Sequence, residues 1–171
     1  YSLPMSDIIT PQLIKQAKVY LSPSQDALIN DVVTVLNLIK NNHINDYSFL
    51  VAPVSKAYEG YLKDFFLKTN IIDNYSYQSD RFRVGKTLNP SLRYKRFSIY
   101  QKLANMGPKG EELAEKLWTA WKYGRNEIFH YFPNKLKYLT RQEAEDRIKL
   151  LLDAIILSGR FYNDYLNDIL L

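Results

Sequence analysis

The sequence lacks the residues on which several classes of protein depend. Its 171 residues include no cysteine and only two histidines. The absence of cysteine excludes disulfide frameworks, thiolate metal sites and a cysteine nucleophile. Two histidines are too few for a histidine-rich metal centre, and no cluster of carboxylates and histidines has the spacing of metal ligands. We therefore expect neither a metal nor a cofactor.

Long apolar runs are missing as well. The longest, residues 150–157, is interrupted by Asp153 and is far too short to span a bilayer. The chain opens without the basic start and apolar segment of a signal peptide. We expect a cytoplasmic domain with no membrane partner and, because residue 1 is tyrosine, a piece of a longer protein. An apolar fraction of 46% favours one folded domain over 1–171, with 1–22 as an N-terminal arm or short helix.

Capping residues and prolines divide the first half of the chain into helices. Ser22-Pro23-Ser24-Gln25 predicts a capping box with proline at the first helical position. Apolar residues recur behind it at helical spacing as far as Asn41-Asn42. A shorter helix is expected before it, from Pro11 to Leu21. A third helix follows Asp46, with Pro53 either in its first turn or at a kink.

The second half combines an irregular segment with three further helices. Residues 70–92 predict a long loop, with a short strand at 81–84. The later helices are predicted over 92–105, from Pro108 to a stop at Pro133, and beyond a capping box at Thr140–Glu143. Together these segments predict an all-α, up-down bundle of five or six helices, with a long basic loop between the third and fourth helices.

Positive charge is concentrated in one segment. The basic stretch, residues 81–102, has seven Lys or Arg residues and no acid, although the whole chain carries only +5. A local excess of this kind, interleaved with aromatic residues, is typical of proteins that bind phosphates and stack unpaired bases. Alternatively, the rings face the core and the cations form a solvated rim. The residues expected to contact RNA are Arg81, Arg83, Lys86, Arg93, Lys95, Arg96 and Tyr94.

The end of the tryptophan-bearing helix carries the polar residues that packing explains least. Arg125, Asn126 and His130 stand there beside a strongly apolar stripe. On a regular helix Asn126 and His130 share a face, and the long side chain of Arg125 can swing towards the same opening. Gly124 removes a side chain where another backbone or a ligand can approach closely. A purely structural alternative is that His130 caps the helix and Arg125 pairs with Glu127 or Glu59.

An Arg-Asn-x3-His motif late in a long helix of a small all-α domain resembles the HEPN superfamily, whose ribonuclease members carry Arg-x4–6-His. The likeness extends to residues 55–64, an early helix with an acid facing the motif helix. Within the superfamily the chain is most similar to the RNase LS toxin family. That family has a basic residue and a glutamate three positions apart on the early helix, and Lys56 and Glu59 stand there in this chain. The resemblance covers roughly residues 24–170.

The resemblance implies a metal-independent endoribonuclease, and the chemistry of the motif agrees with it. Metal-free cleavage needs a base to take the proton of the attacking 2′-hydroxyl, and positive charge for the phosphoryl oxygens. The ordinary pKa of histidine suits proton transfer near neutral pH, and the planar, charged guanidinium of arginine matches the geometry of a phosphate. We expect catalysis by Arg125 and His130, and products with 2′,3′-cyclic phosphate and 5′-hydroxyl ends. Asn126 would orient the imidazole or bind phosphate, while Glu59 holds Arg125 or shapes the pocket with Lys56.

The resemblance also implies partners. One histidine per chain is few for a reaction that needs both a base and an acid, and HEPN ribonucleases pair two motif helices across a two-fold axis. We therefore expect a homodimer with a composite site, which Gly124 would allow to close. Such an enzyme would be the toxin of a toxin–antitoxin or phage-defence pair, restrained by an inhibitor protein.

Three other functions stay open at this point. The chain could be a non-catalytic HEPN module that binds RNA or nucleotides or scaffolds a complex. It could be a bundle that binds only proteins, in which case the motif and the basic stretch are coincidences. A metal nuclease is disfavoured, because the sequence has no ligand cluster.

Overall fold

The computed structural model describes residues 6–39, 42–134 and 137–169, and within them it is helical without a strand. Residues 1–5 of the expected N-terminal arm, and Asn41 at the predicted end of the second helix, lie outside the described residues. The helices are α1 (Pro11–Lys18), α2 (Pro23–Leu38), α3 (Ser48–Lys68), α4 (Asn74–Gln78), α5 (Val84–Leu88), α6 (Ile99–Ala104), α7 (Pro108–Trp121), α8 (Glu127–Phe129) and α9 (Arg141–Ile169). The predicted all-α architecture is confirmed.

Two predicted capping boxes are present. At the start of α2 the Ser22 hydroxyl accepts from the Gln25 N–H, and the Gln25 side chain accepts from the Ser22 N–H. At the start of α9 the Thr140 and Glu143 side chains accept reciprocally from each other's backbone N–H groups, at 3.1 and 2.8 Å. These bonds satisfy donors that a helix start otherwise leaves unpaired, and they fix where two of the longest helices begin.

Helix α3 lies at the centre of the bundle and packs against α2 and α9. Pro53 lies within it rather than in its first turn. Two buried tyrosines tie this helix to its neighbours by hydrogen bonds. The hydroxyl of Tyr58 donates to the Leu117 carbonyl of α7 at 2.9 Å, and that of Tyr61 lies 2.8 Å from the Ser158 hydroxyl of α9. Burial raises the pKa of Tyr61 above its ordinary value, so its hydroxyl stays protonated.

The segment between α3 and α6 is more ordered than the sequence indicated. The predicted long loop contains α4, α5 and a 3₁₀ turn at Pro90–Leu92, and the predicted strand at 81–84 is wrong because Val84 begins α5. Local side-chain caps explain the difference. Asp73 accepts from the Ser76 N–H at the start of α4, and Asn89 accepts from the Ser91 N–H at the 3₁₀ turn. The predicted helix over 92–105 is shorter and spans only Ile99–Ala104.

Helix length also bears on membrane insertion. Among the described residues, no helix is both long and apolar enough to cross a bilayer.

The Tyr58–Leu117 hydrogen bond gives a test of how α3 and α7 are joined. We expect Tyr58→Phe to lower the free energy of unfolding by about 1 kcal/mol, because the change removes a fully buried hydroxyl and leaves the Leu117 carbonyl with one hydrogen bond fewer. The matched control is Tyr75→Phe, whose ring is 84% exposed and whose hydroxyl makes no hydrogen bond to any described residue. Urea denaturation of both variants measures the difference. Equal stabilities of the two variants would contradict the assignment.

Candidate active site

The motif lies in an irregular stretch of helix. After α7 ends at Trp121, residues Lys122–Asn126 form a π-helical segment, and α8 follows as a single turn. A π-helical segment inserts an extra residue into the helix and turns the next residues to a new direction, and such segments are frequent at functional sites. The helix thus ends at Phe129, before the predicted stop at Pro133.

Gly124 explains why the chain can pass so close to α9 here. A Cβ at Gly124 would lie 2.5 Å from Cδ2 of Leu151, closer than two non-bonded carbon atoms can come. The glycine is buried against a side chain of its own molecule. The prediction that Gly124 leaves room for a second chain is therefore wrong.

Arg125 is held by side chains from three helices, α3, α7 and α8. Its Nη2 lies 2.9 Å from Oε2 of Glu59 on α3, and both side chains are 29% exposed. Its guanidinium carbon lies 5.1 Å from the ring centroid of Trp121 and 5.0 Å from that of Phe129. These contacts fix the plane of the guanidinium while leaving part of it open to solvent. Of the two acids considered as partners for Arg125, Glu59 is the one that pairs with it.

His130 stands where the helix has just ended. Its backbone is extended, at φ −103° and ψ 128°, and its side chain is exposed. Only the single turn of α8 lies between Asn126 and His130, and the shared face of the two residues stays a prediction. The imidazole lines a cavity of about 190 Å³ and lies 6.1 Å from the ring of Phe132, centroid to centroid.

Asp46 shapes the far side of this cavity. Its carboxylate accepts hydrogen bonds from the N–H groups of Leu139 and Ser48, at 3.1 and 3.0 Å, and from the Ser48 hydroxyl. Burial alone would raise the pKa of Asp46, but these bonds outweigh it and lower the pKa below its ordinary value. The ionised carboxylate thereby ties the segment before α9 to the start of α3, beside His130.

The other two predicted catalytic residues are placed differently from each other. Asn126 is partly exposed in the π-helical segment, and its amide has no hydrogen-bond partner among the described residues. Lys56 is exposed on α3 and lines a separate groove against α2, together with Gln25 and Lys63. The structure thus brings Glu59 to Arg125 and leaves Lys56 on a neighbouring surface.

Arg147 is a member of this region that the sequence analysis missed. From α9 its Nη1 donates to the Tyr123 carbonyl at 2.9 Å and to Oε2 of Glu127 at 2.8 Å. It therefore fastens the chain two residues before and two residues after Arg125. The charged residue lies among the apolar positions of a long amphipathic helix, and only the three-dimensional structure shows that it points at the motif.

The seven cations of the basic stretch are all on the surface, and its rings are divided between core and solvent. Tyr100 is buried and Phe82 half-buried, whereas Tyr94 and Phe97 are 73% and 39% exposed. Arg93 pairs with Glu111 at 3.2 Å. Among the described residues no acid pairs with the other cations predicted to contact RNA, namely Arg81, Arg83, Lys86, Lys95 and Arg96.

A single side chain joins the basic stretch to Arg125. Within α5, a Cβ at Gly85 would lie 2.3 Å from the indole nitrogen of Trp121, so the α5 backbone rests on the edge of that ring. The same ring carries the guanidinium of Arg125. Arg83 is the N-cap residue of α5 and Lys86 lies within it, so the helix that holds these two cations packs on the ring that Arg125 contacts.

Comparison with known proteins adds no relative. No family model, curated protein or solved structure matches the chain. In the described part of the chain, no three His, Asp or Glu side chains are grouped so that they could hold a metal ion.

The contacts of Arg147 provide a test of what holds the motif in place. We expect Arg147→Met to lower the free energy of unfolding by roughly 1–2 kcal/mol, since it removes a charged hydrogen bond to a carbonyl together with an ion pair. The control is Lys149→Met on the same helix, which removes only an exposed pair with Asp153 and should cost about 0.5 kcal/mol or less. Chemical denaturation and the NMR shifts of residues 123–130 would be compared. An unaltered spectrum of that segment in Arg147→Met would contradict the role.

Proposed function

We propose that the chain is a metal-independent endoribonuclease of the HEPN type, in which Arg125 and His130 act on the scissile phosphate. The observation that carries the proposal is the Glu59–Arg125 ion pair. It fixes the motif arginine, partly open to solvent, within an irregular helical segment and five residues before an exposed histidine. An ion pair alone would also suit a structural role, so what favours the nuclease is the part of the guanidinium that stays open to solvent near an exposed histidine.

The reaction follows from the properties of the two side chains. The 2′-hydroxyl attacks the adjacent phosphorus, so that the bond from phosphorus to O2′ forms as the bond to O5′ breaks. One imidazole takes the proton of the 2′-hydroxyl, and an imidazolium gives a proton to the departing 5′ oxygen. Arg125 stabilises the charge that builds up on the non-bridging oxygens. The products carry a 2′,3′-cyclic phosphate and a 5′-hydroxyl.

The neighbouring residues have supporting roles in this scheme. Glu59 orients the guanidinium and compensates part of its positive charge. The N–H groups of Arg125 that face solvent remain available to bind phosphate. The unpartnered amide of Asn126 is available to bind a phosphoryl oxygen. Lys56, one turn before Glu59 but in a separate groove, would act only on a more distant part of the strand.

The proton transfers call for two imidazoles, which a second copy of the chain would supply. In a two-fold dimer identical residues meet near the axis, so each chain would give one Arg125 and one His130 to a common cleft. The rings around His130 that would meet the partner are exposed, among them Phe129, Tyr131 and Phe132. We extend the proposal to a toxin of a toxin–antitoxin or phage-defence pair, whose inhibitor covers this cleft or prevents the dimer.

A second candidate function is a non-catalytic HEPN module that binds RNA. The exposed and largely unpaired cations of the basic stretch, with Tyr94 among them, favour it. Arg93, Tyr94, Lys95 and Arg96 line one open groove of about 460 Å³, which suits a phosphate backbone with stacked bases. Cleavage separates the two functions.

Cleavage of a mixed-structure RNA in excess EDTA tests the proposed reaction. We expect the wild type to leave cyclic phosphate and 5′-hydroxyl ends, and His130→Ala to lose at least about 10²-fold in rate, as removal of a general acid–base commonly does. Arg125→Lys keeps the charge but loses the planar set of N–H donors, so its cleavage rate should also fall. The matched control is His43→Ala, since His43 is exposed in the segment before α3.

Each other outcome of that experiment has a definite meaning. Equal cleavage by His130→Ala and wild type would show another catalytic group or a contaminant. A wild type that binds RNA but does not cleave it would contradict the nuclease and favour the binding module.

The composite site is tested by mixing two inactive variants. Arg125→Ala and His130→Ala, refolded together, should regain cleavage well above either variant alone, because mixed dimers combine one intact arginine and one intact histidine in the common cleft. Each variant refolded with itself is the control, and sedimentation measures the dimer. Full activity of a strict monomer at every concentration would contradict the composite site.

A further inference from the structure

A cavity of about 570 Å³ lies beside α5 and is lined by Thr87 of that helix. Two phenyl rings line it, those of Phe82 and Phe97, and Ile71, Ile72 and Ile99 give it an apolar floor. Phe97 is 39% exposed although it is a large apolar side chain. Phe82 packs partly against the core, so the open aromatic surface of the pocket is mainly that of Phe97.

The rim of the cavity carries charged groups of both signs. Nζ of Lys102 donates to the Ile71 carbonyl at 3.0 Å and has two further donors. Nζ of Lys86 lies 4.9 Å from the ring centroid of Phe97. The carboxylate of Asp73 accepts from the Ser76 N–H, and both residues line the pocket. Flat apolar walls with separate donors and acceptors at the edge match a nucleobase, which is a polar-edged aromatic ring.

The position of the cavity indicates how an RNA strand would reach it. The cavity adjoins α5 through Thr87, and the backbone of α5 rests on Trp121, whose ring carries Arg125. A strand bound by its phosphate at Arg125 would have α5 beside it, and α5 lines the cavity through Thr87. A base of that strand must be unstacked to enter the cavity, which single-stranded RNA permits.

We propose that this cavity is a nucleobase pocket, in which Phe97 and Phe82 stack one unpaired base of the RNA strand while Lys86 and Lys102 contact the adjoining phosphates. The assignment rests on the proposed function for its ligand. It goes beyond that function because it places a binding determinant outside the Arg125–His130 motif.

The experiment compares a short single-stranded RNA with an abasic strand of the same length, in the His130→Ala background so that nothing is cleaved. Fluorescence anisotropy gives the two dissociation constants at fixed salt. Stacking one base on an aromatic side chain typically changes affinity roughly ten-fold or more. We therefore expect Phe97→Leu to reduce the preference for the base-containing strand over the abasic strand by about that factor. The salt dependence should stay unchanged, because no phosphate contact is lost.

Tyr75→Leu is the matched control. Tyr75 is 84% exposed on α4, whose Asp73 and Ser76 line the cavity, yet Tyr75 itself does not line it. The control should keep the full preference. An equal preference in Phe97→Leu and Tyr75→Leu, or none in the parent, would overturn the pocket. As a second readout, uridine monophosphate should shift the amide resonances of Thr87 and Lys102 in the parent more than ribose 5-phosphate does, and equal shifts would also overturn it.

The pocket and the nuclease can fail separately. If the His130→Ala protein prefers the base-containing strand but the wild type does not cleave RNA, the pocket is supported and the nuclease is rejected. Cleavage that depends on His130, without any effect of Phe97→Leu on the preference, would retain the nuclease and reject the pocket.

Discussion

Helix α3 buries ten side chains, most of them aromatic or aliphatic, over one wide face, and the arrangement of the other helices depends on this. A helix of that kind is stable only when neighbours cover several of its sides. Helices α2, α7 and α9 provide the cover, and the hydroxyls of Tyr58 and Tyr61 find partners on α7 and α9 rather than in water. Because Glu59 directly follows Tyr58, the constraint that orders the core also fixes the position of the carboxylate that meets Arg125.

The pairing of Arg125 with Glu59 balances two requirements. A lone guanidinium above two aromatic rings would be free to adopt many orientations, and an ion pair sealed from solvent would have no capacity left for a ligand. Partial exposure of both side chains avoids each extreme. Pairs of this kind contribute little to stability, so their value lies in orientation.

Regular elements with strong local signals could be predicted from the sequence, whereas the irregular ones could not. The capping boxes at Ser22 and Thr140 depend only on residues three positions apart, and the amphipathic stripe of α9 repeats over many turns, so both were evident. The short helices α4 and α5 are too brief for periodicity and depend on single caps such as Asp73. The π-helical segment places Gly124 against Leu151, which is remote in sequence, and no local pattern indicates it.

The candidate site was predictable in its residue types but not in its shape. Arg125 and His130 were found from their spacing, and Glu59 from a second short segment. Arg147 and Asp46 act on the motif through the fold: one fastens its backbone from α9, and the other braces the cavity wall from the start of α3. Their sequence neighbourhoods look like an ordinary amphipathic helix and an ordinary turn.

The irregular backbone between Trp121 and His130 means that counting residues does not measure distance in this motif. On a straight helix, each residue inserted between an arginine and a histidine would swing one of them about 100° away from the other. Here Arg125 lies in a π-helical segment, His130 is itself extended, and the single α-turn of α8 lies between them. A π-helical segment accommodates one residue more than a regular helical turn without ending the helix. The number of residues between the two side chains therefore does not by itself give their relative direction.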